Sequence, residues 1–261
     1  MEVVIVTGPA AGGSLVGEAI ESFLRQRPDA VLGLATGSSP RSVYQDIVAR
    51  HRAGRMSFAK ARAFQLDEYV GLPADHLETY RAVIEREVTS QLDFARDAVR
   101  GPNGTSPDLP AACATYEREI AAAGGVDLQL LGIGSDGHIG FNEPVSSLAS
   151  RTRLKTLTEQ TRRDNARFFG DVLEAVPRHV LTQGIGTILE ARHLILLAWG
   201  AGKATAVARC VEGPLTAMVP ASALQLHPHA TIIVDEAAAG ALTLGEYYRA
   251  TWEAKPDWQG L

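Results

Sequence analysis

The sequence contains little cysteine and no excess of basic residues. Cys113 and Cys210 are the two cysteines among 261 residues, and they form no C-x-x-C pattern. A disulfide scaffold or a thiolate zinc site is therefore not expected, and a reducing cytosol fits. Lys and Arg number 25 against 30 Asp and Glu, for a formal net charge of −5. This balance argues against a general nucleic-acid binder but not against a small anionic substrate, because a pocket needs few cations.

Long hydrophobic runs are also missing. No stretch approaches the roughly 20 apolar residues that a membrane helix needs, and the first residues lack the basic region of a signal peptide. The sequence has neither the G-x-x-x-x-G-K-[ST] nucleotide loop nor a dinucleotide fingerprint. These absences predict a cytoplasmic protein with no membrane or nucleic-acid partner.

Short apolar runs alternate with helical patterns along the chain, in which 46% of residues are hydrophobic. Several runs are unbroken, as in strands buried on both faces. The predicted strands are Val3–Thr7, Ala30–Ala35, Ala61–Leu66, Asp127–Ile133, His193–Ala198 and Thr231–Asp235. The predicted helices are Leu15–Gln26, Arg41–Arg52, Thr79–Gln91, Tyr116–Ala123, Arg162–Ala175 and Lys203–Glu212. This order predicts an α/β fold, a mostly parallel central sheet with helices on both faces in a Rossmann-like, three-layer single domain over residues 1–261.

Ligands of such sheets bind beyond the carboxyl ends of the strands, so the segments that follow the strands are the candidate sites. The first is Ala35-Thr36-Gly37-Ser38-Ser39-Pro40. Gly37 permits a tight turn, Pro40 suits the first helical turn, and Ser38 or Ser39 can cap the helix. Such a segment can cradle a phosphate with Thr36, Gly37, Ser38 and Ser39. An ordinary strand–turn–helix with a serine cap is the alternative.

Two adjacent acids, Asp67 and Glu68, follow the third predicted strand. Asp67 stands where the strand should end and points into the ligand crevice. Adjacent side chains diverge in direction, so we expect one acid to face a substrate and the other to accept structural hydrogen bonds. A solvated acidic turn is the alternative interpretation.

The loop Gly132–Pro144 carries four glycines together with Asp136, His138 and Glu143. A histidine near its ordinary pKa of about 6.5 can both take and give protons near neutrality. Flanking carboxylates would orient its ring and raise its basicity. A structural histidine and a metal site are the alternatives, although a single histidine is a poor start for a nitrogen-rich metal set.

The last candidate site residues are cationic side chains that could bind a phosphate. Lys203 begins a helix after Gly200-Ala201-Gly202, again at a strand's carboxyl end, where it could meet a phosphate held by residues 36–39. Arg167, beside Phe168-Phe169, is the arginine best placed to be held by packing. Arg162 and Arg163 fit surface positions better.

Together these motifs resemble the glucosamine-6-phosphate deaminases, over almost the whole chain. The resemblance rests on LGLATGSSP, FQLDEYVGL, GIGSDGHIGFNEP, SSLASRTRLKTLT, LTQGIGTILEARHLILLAWGAGKA and LQLHPHATIIVDE. The related 6-phosphogluconolactonases share the fold and a DGH loop, but they lack the FNEP continuation and carry arginine where Tyr69 stands. This sequence differs from the family pattern at Ala35, Ser38-Ser39, Gln65, Ser135 and Gly140.

The resemblance implies a metal-free and cofactor-free enzyme that converts glucosamine 6-phosphate and water to fructose 6-phosphate and ammonia. Asp67 would move a proton between C2 and C1 of the open-chain sugar. His138 would open the pyranose ring, supported by Asp136 and Glu143. The phosphate would lie against residues 36–39, with Arg167 and Lys203 completing its site. Residues from about 157 to 180 resemble the family's mobile lid.

The resemblance also bears on assembly and control. Some bacterial members are hexamers that N-acetylglucosamine 6-phosphate activates at subunit interfaces, and Ser146, Arg153, Lys155 and Thr156 resemble that effector site. A surface strand that simply solvates Arg153 and Lys155 is the alternative. A homo-oligomer, hexameric by resemblance, or a monomer is therefore expected. A lactonase-like hydrolase and a non-catalytic sugar-phosphate sensor are the alternative functions.

Overall fold

The structure is a computed structural model that describes residues 1–256 and 258–261. Its ten strands are β1 (Glu2–Val6), β2 (Val31–Leu34), β3 (Arg62–Gln65), β4 (Asp67–Tyr69), β5 (Val99–Arg100), β6 (Leu128–Gly132), β7 (Arg153–Thr156), β8 (His179–Thr182), β9 (His193–Ala198) and β10 (Ala230–Asp235). Its α-helices are α1 (Pro9–Gln26), α2 (Arg41–Arg52), α3 (Tyr80–Glu87), α4 (Leu109–Ala122), α5 (Glu159–Ala166), α6 (Ile185–Leu189), α7 (Ala204–Val211) and α8 (Gly245–Glu253).

Seven strands form one sheet in the order β1-β10-β9-β6-β2-β3-β5, and each recorded pairing within it is parallel. Helices α1, α2 and α3 cover one face through an apolar cluster that includes Ile20 and Ile47. Helices α4, α6 and α7 cover the other through a cluster that includes Tyr116 and Val207. The predicted α/β class, with a layer of helices on each face, is confirmed.

A second, three-stranded sheet of order β4-β8-β7 was not predicted. Its pairings are antiparallel, and Asp67 in β4 lies opposite Thr182 in β8. These strands are short and carry many polar residues, so they lack the apolar runs that identified the central strands. One residue, Leu66, separates β3 of the large sheet from β4 of the small one.

All six predicted strands exist, with ends shifted by at most one residue, but several predicted helix bounds are wrong. The predicted helix Arg162–Ala175 is instead α5, which starts at Glu159 behind the side-chain cap of Thr158 and ends at Ala166. Gly170 and Asp171 then take positive φ angles, which a continuing helix does not allow.

Helix α1 begins six residues before the predicted Leu15, and the glycines in its first turns allow close packing. A Cβ atom at Gly13 would lie 2.5 Å from the backbone oxygen of Ser42 in α2. Helix α4 also starts early, at Leu109, where the side chain of Asp108 accepts a hydrogen bond from the N–H of Ala111. The predicted Thr79–Gln91 is α3 followed by a separate 3₁₀ turn. Helices α6 and α8 were not predicted.

Among the described residues, no helix combines the length and the apolar character that crossing a membrane would require. The two cysteines, Cys113 and Cys210, are buried and unpaired.

Candidate active site

The four candidate segments follow β2, β3, β6 and β9, which are neighbours in the sheet in the order β9-β6-β2-β3. Because these strands are parallel, their carboxyl ends meet at one edge. A cleft of about 650 Å³ opens there. Of the predicted site residues, it is lined by Thr36, Gly37, Ser38, Ser39, Asp67, His138, Arg167 and Lys203.

The loop after β2 is held from both sides. The hydroxyl of Tyr44 donates to the carbonyl of Ala35 at 2.7 Å and accepts from its N–H at 3.1 Å. The indole N–H of Trp199 donates to the carbonyl of Ser39 at 2.9 Å. The expectation that Ser38 or Ser39 caps α2 is wrong, because the cap residue is Pro40 and no side chain bonds the helix terminus. The serine hydroxyls remain available to a ligand in the cleft.

Two cations, Arg167 and Lys203, reach the cleft from different elements. The guanidinium of Arg167, at the end of α5, lies 4.8 Å from the ring centre of Phe168. Lys203 is half-buried, and burial lowers its pKa, while the charge of Asp164 opposes that shift and Arg167 adds to it. An ammonium that is partly desolvated near a second cation is well suited to an anionic ligand.

The neighbouring acids Asp67 and Glu68 face different surroundings, as expected from their adjacent positions. Asp67 lines the cleft with 5% of its surface exposed. Burial, with a smaller contribution from the charge of Glu68, raises its pKa well above the usual value. Glu68 points away and accepts hydrogen bonds from the backbone N–H groups of Tyr69, Tyr80 and Arg81 at 2.8 to 2.9 Å. Glu68 therefore anchors the start of α3, whereas Asp67 is free to act on a ligand.

His138 lies between the two carboxylates that the sequence singled out. Its Nδ1 is 2.7 Å from Asp136 Oδ1 and 3.7 Å from Glu143 Oε2. Burial alone would raise the pKa of Asp136, but the contacts with His138 outweigh it and hold that pKa below its usual value. The ring packs over Gly134, where a Cβ atom would be 2.3 Å from the imidazole, so this position requires glycine.

The same three side chains place ligand atoms within 4.8 Å of one another, so the metal alternative has a geometric basis. The set offers one imidazole and two carboxylates, and one carboxylate oxygen, Glu143 Oε1, accepts a hydrogen bond from Thr161 at 2.6 Å. This donor set is poorer in nitrogen than typical zinc sites. It fits a proton relay better, because His138 Nδ1 faces both carboxylates.

The proposed effector residues lie outside the cleft. Arg153 and Lys155 are half-buried on β7, and Arg153 donates to Asn142 Oδ1 at 2.8 Å. Burial lowers the pKa of both, and Arg153 lowers that of Lys155 further. Ser146 is buried, and its hydroxyl has no hydrogen-bond partner, while Thr156 is exposed on the same strand.

An aromatic cluster closes one side of the cleft. The rings of Tyr69 and Tyr80 lie 4.6 Å apart between centres, and Phe169, beyond α5, meets Tyr69 edge-on at 5.6 Å. Asn165 on α5 donates to the Tyr69 hydroxyl at 2.9 Å. The segment around α5 therefore packs directly on Tyr69, the residue that follows Asp67 and Glu68.

Sequence reasoning missed two supporting residues, Trp199 and Thr161. Trp199 directly follows β9. The rule that residues after the carboxyl ends of parallel strands are candidate site residues, which selected Lys203, could therefore have selected Trp199 as well. Thr161 gave no such signal, since its partner Glu143 belongs to a different element. The two meet only because β7 and β8 bring residues 157–180 back onto the cleft.

Comparison with known proteins places this chain in a family. Residues 10–233 match the model of the glucosamine-6-phosphate isomerases/6-phosphogluconolactonase family, and the chain belongs to that family. Glucosamine-6-phosphate deaminases of Streptomyces coelicolor and Mycolicibacterium smegmatis are 63% and 62% identical to it over 261 residues, 100% of each chain.

Solved structures agree with this assignment. A monomeric glucosamine-6-phosphate deaminase superposes with a TM-score of 0.90 at 39% identity, covering 92% of this chain and 100% of that one. A 6-phosphogluconolactonase from Trypanosoma cruzi gives 0.74 at 21% identity, covering 93% and 97%. The second likeness concerns the fold alone.

Proposed function

We propose that this chain converts glucosamine 6-phosphate and water to fructose 6-phosphate and ammonia. The observation that carries the proposal is the cleft itself, in which phosphate anchors from β2 and β9 share one space with Asp67 and His138. A carboxylate and an imidazole above a fixed sugar phosphate are the groups that ring opening and isomerisation require. The resemblance to named deaminases over the whole chain supports the same reaction.

His138 acts first in the proposed mechanism. It takes the proton of the C1 hydroxyl and delivers one to the ring oxygen, which breaks the C1–O5 bond and leaves the open-chain aldehyde. Asp136, ionised, stabilises the imidazolium that forms in between. Glu143 faces the same ring nitrogen at a longer distance of 3.7 Å.

Asp67 acts second. It removes the C2 proton of the amino aldehyde and returns it to C1, while the aldehyde oxygen gains a proton and the amine nitrogen loses one, so the C1 carbonyl becomes an alcohol and C2 becomes an imine. Water adds to C2, and the C2–N bond breaks to release ammonia and the ketone of fructose 6-phosphate. No electron leaves the substrate, so these steps need no redox cofactor.

A coupled assay tests the function. We expect the purified protein to release ammonia from glucosamine 6-phosphate, and the galactosamine and mannosamine 6-phosphates measure its epimer preference. Hydrolysis of 6-phosphogluconolactone without ammonia release from any amino sugar would contradict the proposal in favour of a lactonase.

The phosphate site makes a separate prediction. Lys203→Ala should raise KM for glucosamine 6-phosphate about 10- to 100-fold, the range expected for one charge-assisted hydrogen bond. It should change kcat by no more than about threefold, because the phosphate is bound equally in ground and transition states. Initial rates over a range of substrate concentrations give both KM and kcat. Lys60→Ala is the matched control, because Lys60 is exposed and does not line the cleft. A KM unchanged from wild type would remove Lys203 from the phosphate site.

We also propose that residues 157–180 form a lid. The support is that Arg167, Phe168 and Phe169 line the cleft, while the segment is attached to Tyr69 through packing and one hydrogen bond. A lid of this kind would admit the sugar phosphate and then exclude water from Asp67.

An effector site at Ser146, Arg153, Lys155 and Thr156 is a further part of the proposal. Two half-buried cations and a buried, unpartnered serine hydroxyl are the kinds of donor that a sugar phosphate needs. We expect sigmoidal kinetics that N-acetylglucosamine 6-phosphate makes hyperbolic, and we expect Lys155→Ala to abolish this response without lowering the saturated rate. Hyperbolic kinetics that the acetylated sugar leaves unchanged would contradict it.

Quaternary structure belongs to the same proposal. The resemblance associates activation with hexamers, whereas a structurally similar deaminase is monomeric. Light scattering with and without the acetylated sugar phosphate separates a hexamer from a monomer, and we expect activation only in the hexamer. A cytoplasmic location is proposed on the cysteine usage and composition.

A further inference from the structure

Glu143 is a buried carboxylate whose two oxygens face different partners. Its Oε1 accepts a short hydrogen bond from the Thr161 hydroxyl at 2.6 Å, and the Thr158 hydroxyl lies farther from the same oxygen, at 3.5 Å. Its Oε2 is buried, has no hydrogen-bond partner, and lies 3.7 Å from His138 Nδ1. The bond from Thr161 therefore decides which oxygen faces the imidazole, because a carboxylate held at one oxygen cannot rotate freely.

Thr161 stands in the first turn of α5 and is itself buried. Thr158, the cap residue, accepts from the Thr161 N–H at 3.1 Å and donates its own hydroxyl proton to Thr161 Oγ1 at 2.9 Å. With that acceptor site occupied, the Thr161 hydroxyl is directed to donate to Glu143. The hydrogen-bond direction thus runs from the helix cap to the carboxylate.

The other end of α5 reaches the phosphate site. Arg167 follows the last residue of the helix and lines the cleft together with Lys203. Eight helical residues extend about 12 Å, and a continuous hydrogen-bonded helix of two turns moves as one body. Helix α5 therefore has Arg167, the cation assigned to the substrate phosphate, at one end. At its other end it has Thr161, the hydrogen-bond donor to Glu143.

We propose that Thr161 is a positioning residue that links phosphate binding to the proton relay. When Arg167 engages the substrate phosphate, α5 is drawn onto the cleft, and Thr161 aligns Glu143 with His138. When the lid lifts, this hydrogen bond is lost, and His138 keeps Asp136 as its one carboxylate partner. The inference rests on the proposed function and adds to it a reason for ring opening to await a correctly bound phosphate.

A purely structural role for Thr161 predicts a different result. Loss of a buried hydroxyl would then lower the melting temperature without a selective effect on turnover. The chain offers a matched comparison in Thr231, a buried threonine on β10 whose hydroxyl bonds His193 Nε2 at 2.9 Å. Thr231 lies near the start of its strand, at the opposite end of the sheet from the cleft.

The first test compares Thr161→Val, Thr161→Ser and Thr231→Val in the full-length protein with glucosamine 6-phosphate. We expect Thr161→Val to lower kcat about 10- to 100-fold, as for a lost hydrogen bond to a charged group, with KM changed less than about threefold. Thr161→Ser keeps the hydroxyl and should recover most of kcat. Thr231→Val should keep kcat while losing thermal stability. A wild-type kcat in a folded Thr161→Val, or an equal loss in Thr161→Ser, would overturn the proposal.

A double-mutant cycle tests the link itself. Arg167→Ala should lower kcat about tenfold in the wild-type background, because α5 is no longer drawn onto the cleft, but less than about threefold when Thr161 is already valine. Equal factors in both backgrounds would show that the phosphate and the relay act independently. If the wild-type protein released no ammonia, the proposed function would fail and the inference with it. If the wild-type protein released ammonia but Arg167→Ala lowered kcat by the same factor in both backgrounds, the inference alone would fail.

Discussion

Asp67→Asn should abolish turnover while making the protein more stable. Removing a general base costs about 10²- to 10⁴-fold in rate, and the phosphate anchors remain, so KM should change little. At the same time, burial makes the Asp67 carboxylate costly to ionise. We expect the melting temperature at pH 7.5 to rise by roughly 2–4 °C, the shift that about 1 kcal/mol produces in a chain of this size.

The sign of the stability effect follows from linkage. The folded protein binds the Asp67 proton more tightly than the unfolded chain, so the stability that this group contributes is complete below the unfolded pKa, 3.8 in the usual case. It is lost as pH rises through the raised folded value. Asparagine cannot ionise and therefore avoids that loss. The same raised pKa places the acid limb of the wild-type rate profile above the usual carboxylate range, because Asp67 must be ionised to accept a proton.

Glu68→Gln is the matched control for this prediction. A glutamine has one oxygen for the three backbone N–H groups that Glu68 now satisfies, so the variant should lose stability while it keeps most of its activity. It should also move the acid limb to lower pH, because the charge of Glu68 contributes to the raised pKa of Asp67. An Asp67→Asn protein with more than a tenth of wild-type kcat would contradict the assigned role.

His138→Gln should slow the cyclic substrate far more than an open one. We expect kcat/KM for glucosamine 6-phosphate to fall about 10²- to 10³-fold, within the range of acid–base catalysis. A 4,5-dideoxy analogue lacks the hydroxyls that close the furanose and pyranose rings, so it bypasses the step assigned to the imidazole. For this analogue the change should stay within a few-fold, measured as ammonia release under the same conditions.

Asp136→Asn provides a graded control for His138. Its carboxylate lies 2.7 Å from His138 Nδ1, and asparagine preserves the shape without the charge that stabilises an imidazolium. The loss should be smaller than for His138→Gln and should show the same preference for the cyclic substrate. Equal slowing of the cyclic and the 4,5-dideoxy substrates in His138→Gln would count against ring opening.

The central sheet could be predicted because burial on both faces leaves unbroken apolar runs, as in His193–Ala198, where the predicted and observed bounds agree. The small sheet could not, because strands such as Arg153–Thr156 alternate half-buried and exposed residues and are defined by partners distant in the chain. The α5 region was misplaced for a related reason. Its apolar side chains contact Tyr69 and Phe141 across the cleft rather than forming a helical stripe that the sequence alone reveals.

Candidate site residues could be predicted from the sequence where they follow the carboxyl end of a strand. Asp67, His138 and Lys203 each follow a strand, and parallel pairing brings such positions together. The order β9-β6-β2-β3, which makes them neighbours, could not be derived from the separate motifs. The hydrogen bond from Thr161 to Glu143 could not be predicted either, because it depends on how the small sheet folds back over the large one.

The pairing of β1 with β10 has a consequence for biosynthesis. Strand β1 leaves the ribosome long before its partner β10, so this edge of the sheet stays unpaired until Asp235 has been synthesised. Until then, the unpaired backbone and the apolar side chains of Glu2–Val6 are exposed to other nascent chains, and the loop that must close spans residues 7–229. Chaperone dependence during synthesis, and intolerance of C-terminal truncation before Asp235, would follow from this topology even if the finished enzyme were robust.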